Sequence, residues 1–572
     1  MVQTGAHVPS ATETGVAASN LSPEQFNGEL LLLRKSALFL PAVLLVASAF
    51  AQQTAATNPA ESWWKHVQVL ADDKMEGRAT GTDGLRRAQA YVVEQLKQAG
   101  VQPAGTDGFY QPMKFVTRKV VESESHVMLI RDGKSEAIKL GDDVYFSTRV
   151  DIEPVKAPLV FAGYGLRVPE YKIDDLAGLD LKGKVAVIVT GSPAEVPNSM
   201  SAHYQSLSER WRAFKEAGAL GIISIPNPAS FDVPWERMSR SRNIAQMDIA
   251  GAEFNNTEGW KLSLTWNPKS AEKLFAGSGH TFAEISGLAK DRKPLPRFAL
   301  RGVIEASPKV EREQTDSANI VAKIAGTDPQ LKNEYVVITA HLDHLGIGTP
   351  VNGDKVYNGA IDNASGSALL LDIANNLKRQ QTKLRRSVLF VFVTAEEKGL
   401  LGSKYFARHP SVPQEQIVAN VNVDMFLPIV PLKVLRVLGL TDTDLGDRVT
   451  SIAQSAGVKV QQDFEPQRNL FVRSDQYSFI REGIPAIVMT VSYEPGSAEQ
   501  KIFKTWLHDR YHAPSDDLQQ PVDFEAAAKY EEIVRNLLIN VANTEQRPEW
   551  KPDSFFRRFA KTRGATNQHG RD

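Results

Sequence analysis

Five stretches of this chain bring imidazoles and carboxylates to places where only a cation would hold them together. His341-Leu342-Asp343-His344 ends one apolar run, and Tyr357-Asn358-Gly359-Ala360-Ile361-Asp362-Asn363 leads into the helical pattern after it. Thr394-Ala395-Glu396-Glu397 ends a second run and Asn422-Val423-Asp424 a third, while Tyr511-His512-Ala513-Pro514-Ser515-Asp516-Asp517 lies in the loop before the last helical pattern. Gathered on one rim, these groups would repel one another. A pair of zinc ions resolves the conflict, since each ion takes about four N or O ligands and one carboxylate can bridge two ions about 3.5 Å apart. The chain has no cysteine, so any metal must sit on His, Asp or Glu. Taken singly, each feature has an ordinary structural reading. An Asp at a helix start caps it, a buried His is a satisfied core residue, and Glu-Glu on a loop is a solvated turn. The order of the five carries the signal.

That order comes from the elements that must position them. Tyr335 to Ala340 and Ser387 to Val393 read as fully buried strands, followed by Ile417 to Val423 and Ala486 to Thr490. Helical patterns over Ala364–Leu377, Gly399–Arg408 and Asp444–Ala456 alternate with them. This grammar predicts an α/β fold: a doubly wound, mostly parallel sheet with helices on both faces, whose sites collect beyond the carboxyl ends of the strands. Upstream, Ser62 to Gly100 reads as helices around a glycine-marked loop, Met75-Glu76-Gly77-Arg78-Ala79-Thr80-Gly81-Thr82, and Tyr110 to Val150 reads as strands. Between 155 and 296, strand and helix patterns with glycine turns suggest a smaller α/β insert. The expected organisation is a signal region at 1–51, an N-terminal catalytic part at 52–154, the insert at 155–296, the main catalytic part at 297–548 and a tail at 549–572.

With 572 residues, the chain is long enough for two or three domains. Lys and Arg number 66 against 67 Asp and Glu, which leaves no basic excess for nucleic acid. Arg34-Lys35, a short apolar stretch interrupted by Pro41, and the exit Ala49-Phe50-Ala51 resemble a secretory leader and not a membrane span, which needs about 20 apolar residues. Export to the periplasm or the medium follows as an expectation, with no stable membrane insertion once the leader is cleaved. Gly178-x-x-x-x-Gly183-Lys184 is no phosphate loop, because Val185 begins a strand instead of a helix. No serine-nucleophile elbow and no His-Glu-x-x-His helix occurs. His66, His126, His203, His280 and His409 belong to none of the five stretches and receive no role; His344 and His508 read as surface or supporting positions.

His341-Leu342-Asp343, Asp362-Asn363-Ala364-Ser365-Gly366, Glu396-Glu397-x-Gly-Leu-Leu-Gly-Ser403, Asn422-Val423-Asp424-Met425 and Tyr511-His512 resemble the motifs of the clan MH di-zinc aminopeptidases, which include bacterial leucyl aminopeptidases and relatives of glutamate carboxypeptidase. The resemblance covers about Ala318 to Asn543, with Glu76-Gly77-Arg78 similar to the family's N-terminal element and 155–296 similar to its protease-associated insert. It implies two zinc ions, one held by His341 and Asp424, the other by Glu397 and His512, with Asp362 bridging. It also implies that Asp343 accepts the second imidazole proton of His341, and that Glu396 is the general base toward a water the metals acidify. Tyr511 would donate to the developing oxyanion, and Arg473 and Asp475 would lie on the substrate side. The function implied is an aminopeptidase acting on peptides. A dipeptidase or carboxypeptidase on the same scaffold is the enzymatic alternative, distinguished by several Arg or Lys side chains offered to a free carboxylate. A non-catalytic peptide-binding protein is the alternative of another class.

Overall fold

Uninterrupted apolar runs form strands buried on both faces, and they make the centre of the molecule. In the computed structural model, which describes residues 60–229, 234–465, 468 and 470–561, the largest sheet has ten strands. Its middle is Ser387–Val393, Tyr335–His341, Ile417–Asn422 and Ala486–Ser492, in that order and all parallel. Alternation sends successive side chains to opposite faces. Val336, Ile338 and Ala340 enter the core under the helices Glu61–Leu70, Ser365–Arg379 and Phe524–Asn543, while Tyr335 and Val337 enter the core beneath Leu401–Arg408 and Gln476–Arg481.

Outside these four strands the sheet is mixed, which corrects the mostly parallel expectation. Val310–Ile324 runs antiparallel to Ser387–Val393 and pairs along its length with Tyr110–Val120, which in turn pairs with Gln246–Ile249. At the other edge Val434–Leu438 runs antiparallel to Ala486–Ser492. The reason is visible in the sequence of Tyr110–Val120, whose alternately buried and exposed residues suit a half-covered antiparallel strand.

A second sheet of eight strands has its own core. Its parallel heart, Val155–Phe161, Val185–Val189, Gly221–Ile225 and Leu262–Trp266, is flanked by antiparallel partners, among them Phe298–Ser307 and His126–Arg131. This second lobe stands beside the carboxyl ends of the central strands and supplies one wall of the cavity described below. Among the described residues no helix is long and apolar enough to cross a membrane. The leader-like segment at 34–51 and residues 562–572 of the tail lie outside the described residues.

Candidate metal centre and cavity

The four parallel strands end on one rim, and the five stretches meet there. His341 is the last residue of its strand; Asp362 lies in the turn preceding helix Ser365–Arg379; Glu396 and Glu397 follow Ser387–Val393; Asp424 lies two residues past Ile417–Asn422. His512 arrives from the loop between helices Ala498–Asp509 and Phe524–Asn543, in a left-handed backbone conformation at φ 54° that a non-glycine residue adopts at a cost of about 1–3 kcal/mol.

Asp362 is the hub of the site. Its Oδ1 lies 3.2 Å from Nε2 of His341, and its Oδ2 lies 3.3 Å from Nε2 of His512. The same His341 nitrogen is 3.3 Å from Oδ1 of Asp424, and the same His512 nitrogen is 3.3 Å from Oε2 of Glu397. Two ligands bound at about 2.0 Å to one tetrahedral ion lie about 3.3 Å apart, so each imidazole–carboxylate group has the spacing of a shared cation. Burial opposes a charge on His341, but Glu396, Asp424 and Asp362 outweigh it and hold the imidazole well above its ordinary range. His512 is held up in the same way by Glu397 and Asp362 against burial. Burial raises Asp362 and Glu397, yet the facing imidazoles win and keep both carboxylates ionised. An all-oxygen and nitrogen donor set of this charge fits a divalent metal of the zinc type.

Glu396 differs from its neighbour. Burial, together with the charges of Asp424, Asp475 and Glu397, raises its carboxyl well above the ordinary range against the pull of His341. It makes no ion pair with either imidazole, and it faces the cavity.

The support for these groups corrects one expectation. Nδ1 of His341 donates to the main-chain carbonyl of Asp343 at 3.0 Å, so the carbonyl and not the carboxylate fixes the tautomer. The Asp343 carboxylate instead accepts the backbone N–H of Glu396 at 3.0 Å and of Glu397 at 3.4 Å, and the hydroxyl of Thr80 at 3.2 Å. Tyr511 stacks on His512 with ring centroids 3.9 Å apart and lines the cavity. Arg473 also lines it, whereas Asp475 is fully buried behind the wall with neither carboxylate oxygen hydrogen bonded. The structure therefore brings together every expected ligand and Glu396, Tyr511 and Arg473, but does not bring Asp475 to the cavity.

Four further residues build the site. His344, expected at the surface or in support, is fully buried with Nδ1 2.8 Å from Oε1 of Glu397. Asp516 accepts the backbone N–H groups of Ile361 and Asp362, each at 3.0 Å, and so fastens the His512 loop to the Asp362 turn. The hydroxyl of Ser474 donates to Oδ2 of Asp424 at 2.5 Å. Arg78, wholly buried, donates to the carbonyls of Leu342, Asn358 and Gly359 at 2.8, 2.6 and 2.9 Å. Gly359 has to be glycine: at φ 58° a Cβ would fall 2.2 Å from the carbonyl oxygen of Asp362 and 2.5 Å from the His344 ring. The Arg78 signal is present in Glu76-Gly77-Arg78, and that of Asp516 in the stretch with His512, but neither names its partner.

The rim opens into a cavity of about 670 Å³ between the sheet's carboxyl edge and the second lobe. Helix Leu207–Glu216 and the strands Gly221–Ile225 and Leu262–Trp266 contribute lining residues from that lobe, including Arg210, Ser224 and Thr265.

Residues 319–538 match the model of peptidase family M28. Over 323 residues the chain is 27% identical to a probable leucine aminopeptidase 2 of Aspergillus fumigatus, covering 52% of this chain and 60% of that one. Over 288 residues it is 25% identical to carboxypeptidase Q of Xenopus laevis, covering 49% of this chain and 58% of that one. The alignments thus span about three-fifths of the length of these curated relatives. The fold is similar to that of an aminopeptidase from Aneurinibacillus sp. strain AM-1, with a TM-score of 0.51 and 20% identity over 85% of this chain and 95% of the other. From His341 through His512, the site lies inside the segment that matches the model of peptidase family M28.

Proposed function

We propose that this chain is an exported, zinc-dependent exopeptidase that removes N-terminal residues from peptides, with two zinc ions bridged by Asp362. The observation that carries the reading is the division of one carboxylate between two imidazoles, one oxygen to His341 and the other to His512. His341 and Asp424 would hold one ion and Glu397 and His512 the other. When bound, the ions supply Lewis acidity toward a peptide carbonyl and toward water. Glu396, whose carboxyl is raised and which is committed to neither imidazole, takes the proton from water and returns it to the departing amine. Tyr511 has no hydrogen-bond partner for its hydroxyl among the described residues and lines the cavity, which suits donation to the developing oxyanion. Carboxylates around the centre favour a cationic α-amine at the substrate terminus. We take the second lobe, whose parallel heart lies within 155–296, as a protease-associated insert that shapes access, and the leader-like segment at 34–51 as the basis for export.

The test is metal content by elemental analysis together with hydrolysis of aminoacyl anilides with free and acetylated amines. Two zinc ions per chain and a loss of about a hundredfold or more in kcat/KM on acetylation are expected, since acetylation removes a charge and its hydrogen bonds. Equal cleavage of blocked and free substrates overturns the aminopeptidase reading. Cleavage that depends on a free C-terminus replaces it with a carboxypeptidase or dipeptidase.

A further inference from the structure

The loop that carries Tyr511 and His512 is held at two places, and one of them is reached from the second lobe. Asp516 ties the loop to the Asp362 turn. Separately, Nη1 of Arg237 donates to the main-chain carbonyls of Leu507 at 3.3 Å and Tyr511 at 3.2 Å. Arg237 stands on the short helix Trp235–Met238, which Trp235 fastens to the second sheet. The indole Nε1 of Trp235 donates to the carbonyl of Gly141 at 2.9 Å, and its ring lies 5.5 Å from that of Tyr145 on the edge strand Val144–Phe146. Among the described residues Arg237 makes no ion pair, although Asp509 attracts it, so the two carbonyls are its hydrogen-bond partners.

Both carbonyls need a donor. Helix Ala498–Asp509 leaves its last carbonyls without partners inside the helix. That of Trp506 accepts the N–H groups of Arg510 and Tyr511 at 2.8 and 3.3 Å, that of Asp509 accepts the Ser515 hydroxyl at 2.7 Å, and that of Leu507 receives Arg237. A cation there also meets the negative end of the helix dipole. The Tyr511 carbonyl matters more. It belongs to the peptide unit that leads into His512, so clamping it limits rotation about the His512 φ of 54°. A non-glycine residue keeps that left-handed conformation only where its surroundings hold it. Released, the unit turns and carries the imidazole away from Asp362 and Glu397, together with the Tyr511 ring stacked on it.

We infer that Arg237 is a positioning residue through which the second lobe sets the Tyr511–His512 loop, so that this lobe completes the catalytic centre as well as shaping access to it. This rests on the exopeptidase reading above for what Tyr511 and His512 do, but not for what holds them.

The test follows hydrogen exchange of the amides of residues 507–516, zinc release to a chelator and hydrolysis of a leucyl anilide, in the wild type, Arg237→Ala, Arg237→Gln and Arg237→Lys. Hydrogen bonds from a charged donor are worth about tenfold or more in a local opening equilibrium. Arg237→Ala, and Arg237→Gln with its shorter neutral side chain, should therefore speed exchange over 507–516 by about tenfold or more, while strands Val185–Val189 and Tyr335–His341 keep their wild-type rates. One zinc ion per chain should leave about tenfold faster than in the wild type. The kcat should fall by about tenfold or more with KM within about twofold, because the groups on this loop act in the transition state. Arg237→Lys keeps a cation at the carbonyls and should lie between. Wild-type exchange over 507–516 overturns the proposal, and so does acceleration that spreads equally to both strands, which would make Arg237 a support of the whole fold. Faster local exchange with unchanged kcat and zinc release also overturns it. If Arg237→Ala does not fold, Arg237→Gln decides by the same outcomes. If the wild type binds no zinc and cleaves no peptide, the exopeptidase reading fails, and the exchange comparison alone decides whether the second lobe holds the loop.

Discussion

The Asp343 carboxylate accepts the backbone N–H of Glu396 at 3.0 Å, and with its second oxygen reaches the N–H of Glu397 at 3.4 Å. One buried anion thus pins the main chain of two adjacent glutamates whose side chains meet different surroundings. Glu397 faces His512 and His344, while Glu396 faces neither and is raised. On the proposed two-zinc reading, Glu396→Gln is expected to keep the wild-type metal content and to lower kcat by about a hundredfold or more. Glu397→Gln is expected to lose metal. Elemental analysis beside steady-state kinetics checks both, and equal behaviour of the two variants would contradict the division of labour.

Asp362 is shared between two imidazoles, so its loss strikes both halves of the centre. Asp362→Ala is expected to abolish activity and to leave less than one zinc ion per chain after dialysis against a weak chelator. Retention of two ions would remove the bridging assignment.

How far the site is legible in the sequence depends on how local its geometry is. His341, Asp424 and the Glu396-Glu397 pair each follow an apolar run, and a buried strand that stops at a polar residue delivers that residue to the sheet's carboxyl edge whatever else the chain does. Arg78 is different: its acceptor Leu342 is 264 positions away, and nothing in the local pattern says that a loop arginine will be swallowed whole. The direction of the edge strands is hidden for a related reason. Val434–Leu438 is five buried residues like those of the parallel strands, and only its pairing with Ala486–Ser492 reveals that it runs the other way. The second sheet likewise takes His126–Arg131 and Phe298–Ser307 from either side of 155–296. Alternation predicts a strand at such places without saying which sheet receives it.

The Arg78 guanidinium ties together three segments: Leu70 at the end of the first helix, Leu342 beyond His341, and Asn358 and Gly359 before Asp362. Burial pulls it down to about 10, against the attraction of Asp516, Asp343, Asp362 and Glu397. A lysine keeps the charge but lacks the planar fork. Arg78→Lys is expected to destabilise the fold by about 3 kcal/mol and to weaken zinc retention, because it leaves buried carbonyls without donors. Arg86→Lys, at an exposed pair with Asp83, is expected to change stability by less than about 0.5 kcal/mol. Denaturant midpoints measure the contrast, and similar values for the two would show that the buried network is not holding the loops.

His203 joins the lobes, and its protonation should be felt as a loss of stability. It sits on helix Asn198–Gln205 of the second lobe, 3% exposed, with Nδ1 2.8 Å from the hydroxyl of Tyr477 on helix Gln476–Arg481 and its ring against Phe555 and Phe559 of the C-terminal segment. Burial lowers its pKa to about 4; Glu209, 3.8 Å away, opposes this, while Arg481, Arg558 and Arg212 add to it. In the unfolded chain the imidazole returns to about 6.5. Between those values the unfolded state binds a proton that the folded state refuses, so stability is complete above about pH 6.5, falls as pH drops toward 4, and loses no more from this residue below that. The 2.5-unit gap corresponds to about 3 kcal/mol at pH 4. His203→Gln removes the titration while retaining a side chain able to hydrogen bond. Unfolding free energies at pH 7.5 and 4.5 should therefore fall by about 2–3 kcal/mol more in the wild type than in the variant, because carboxylates that titrate in both cancel in the comparison. An identical fall in both proteins would mean that His203 is protonated in the folded state and that the contact between the lobes accommodates its charge.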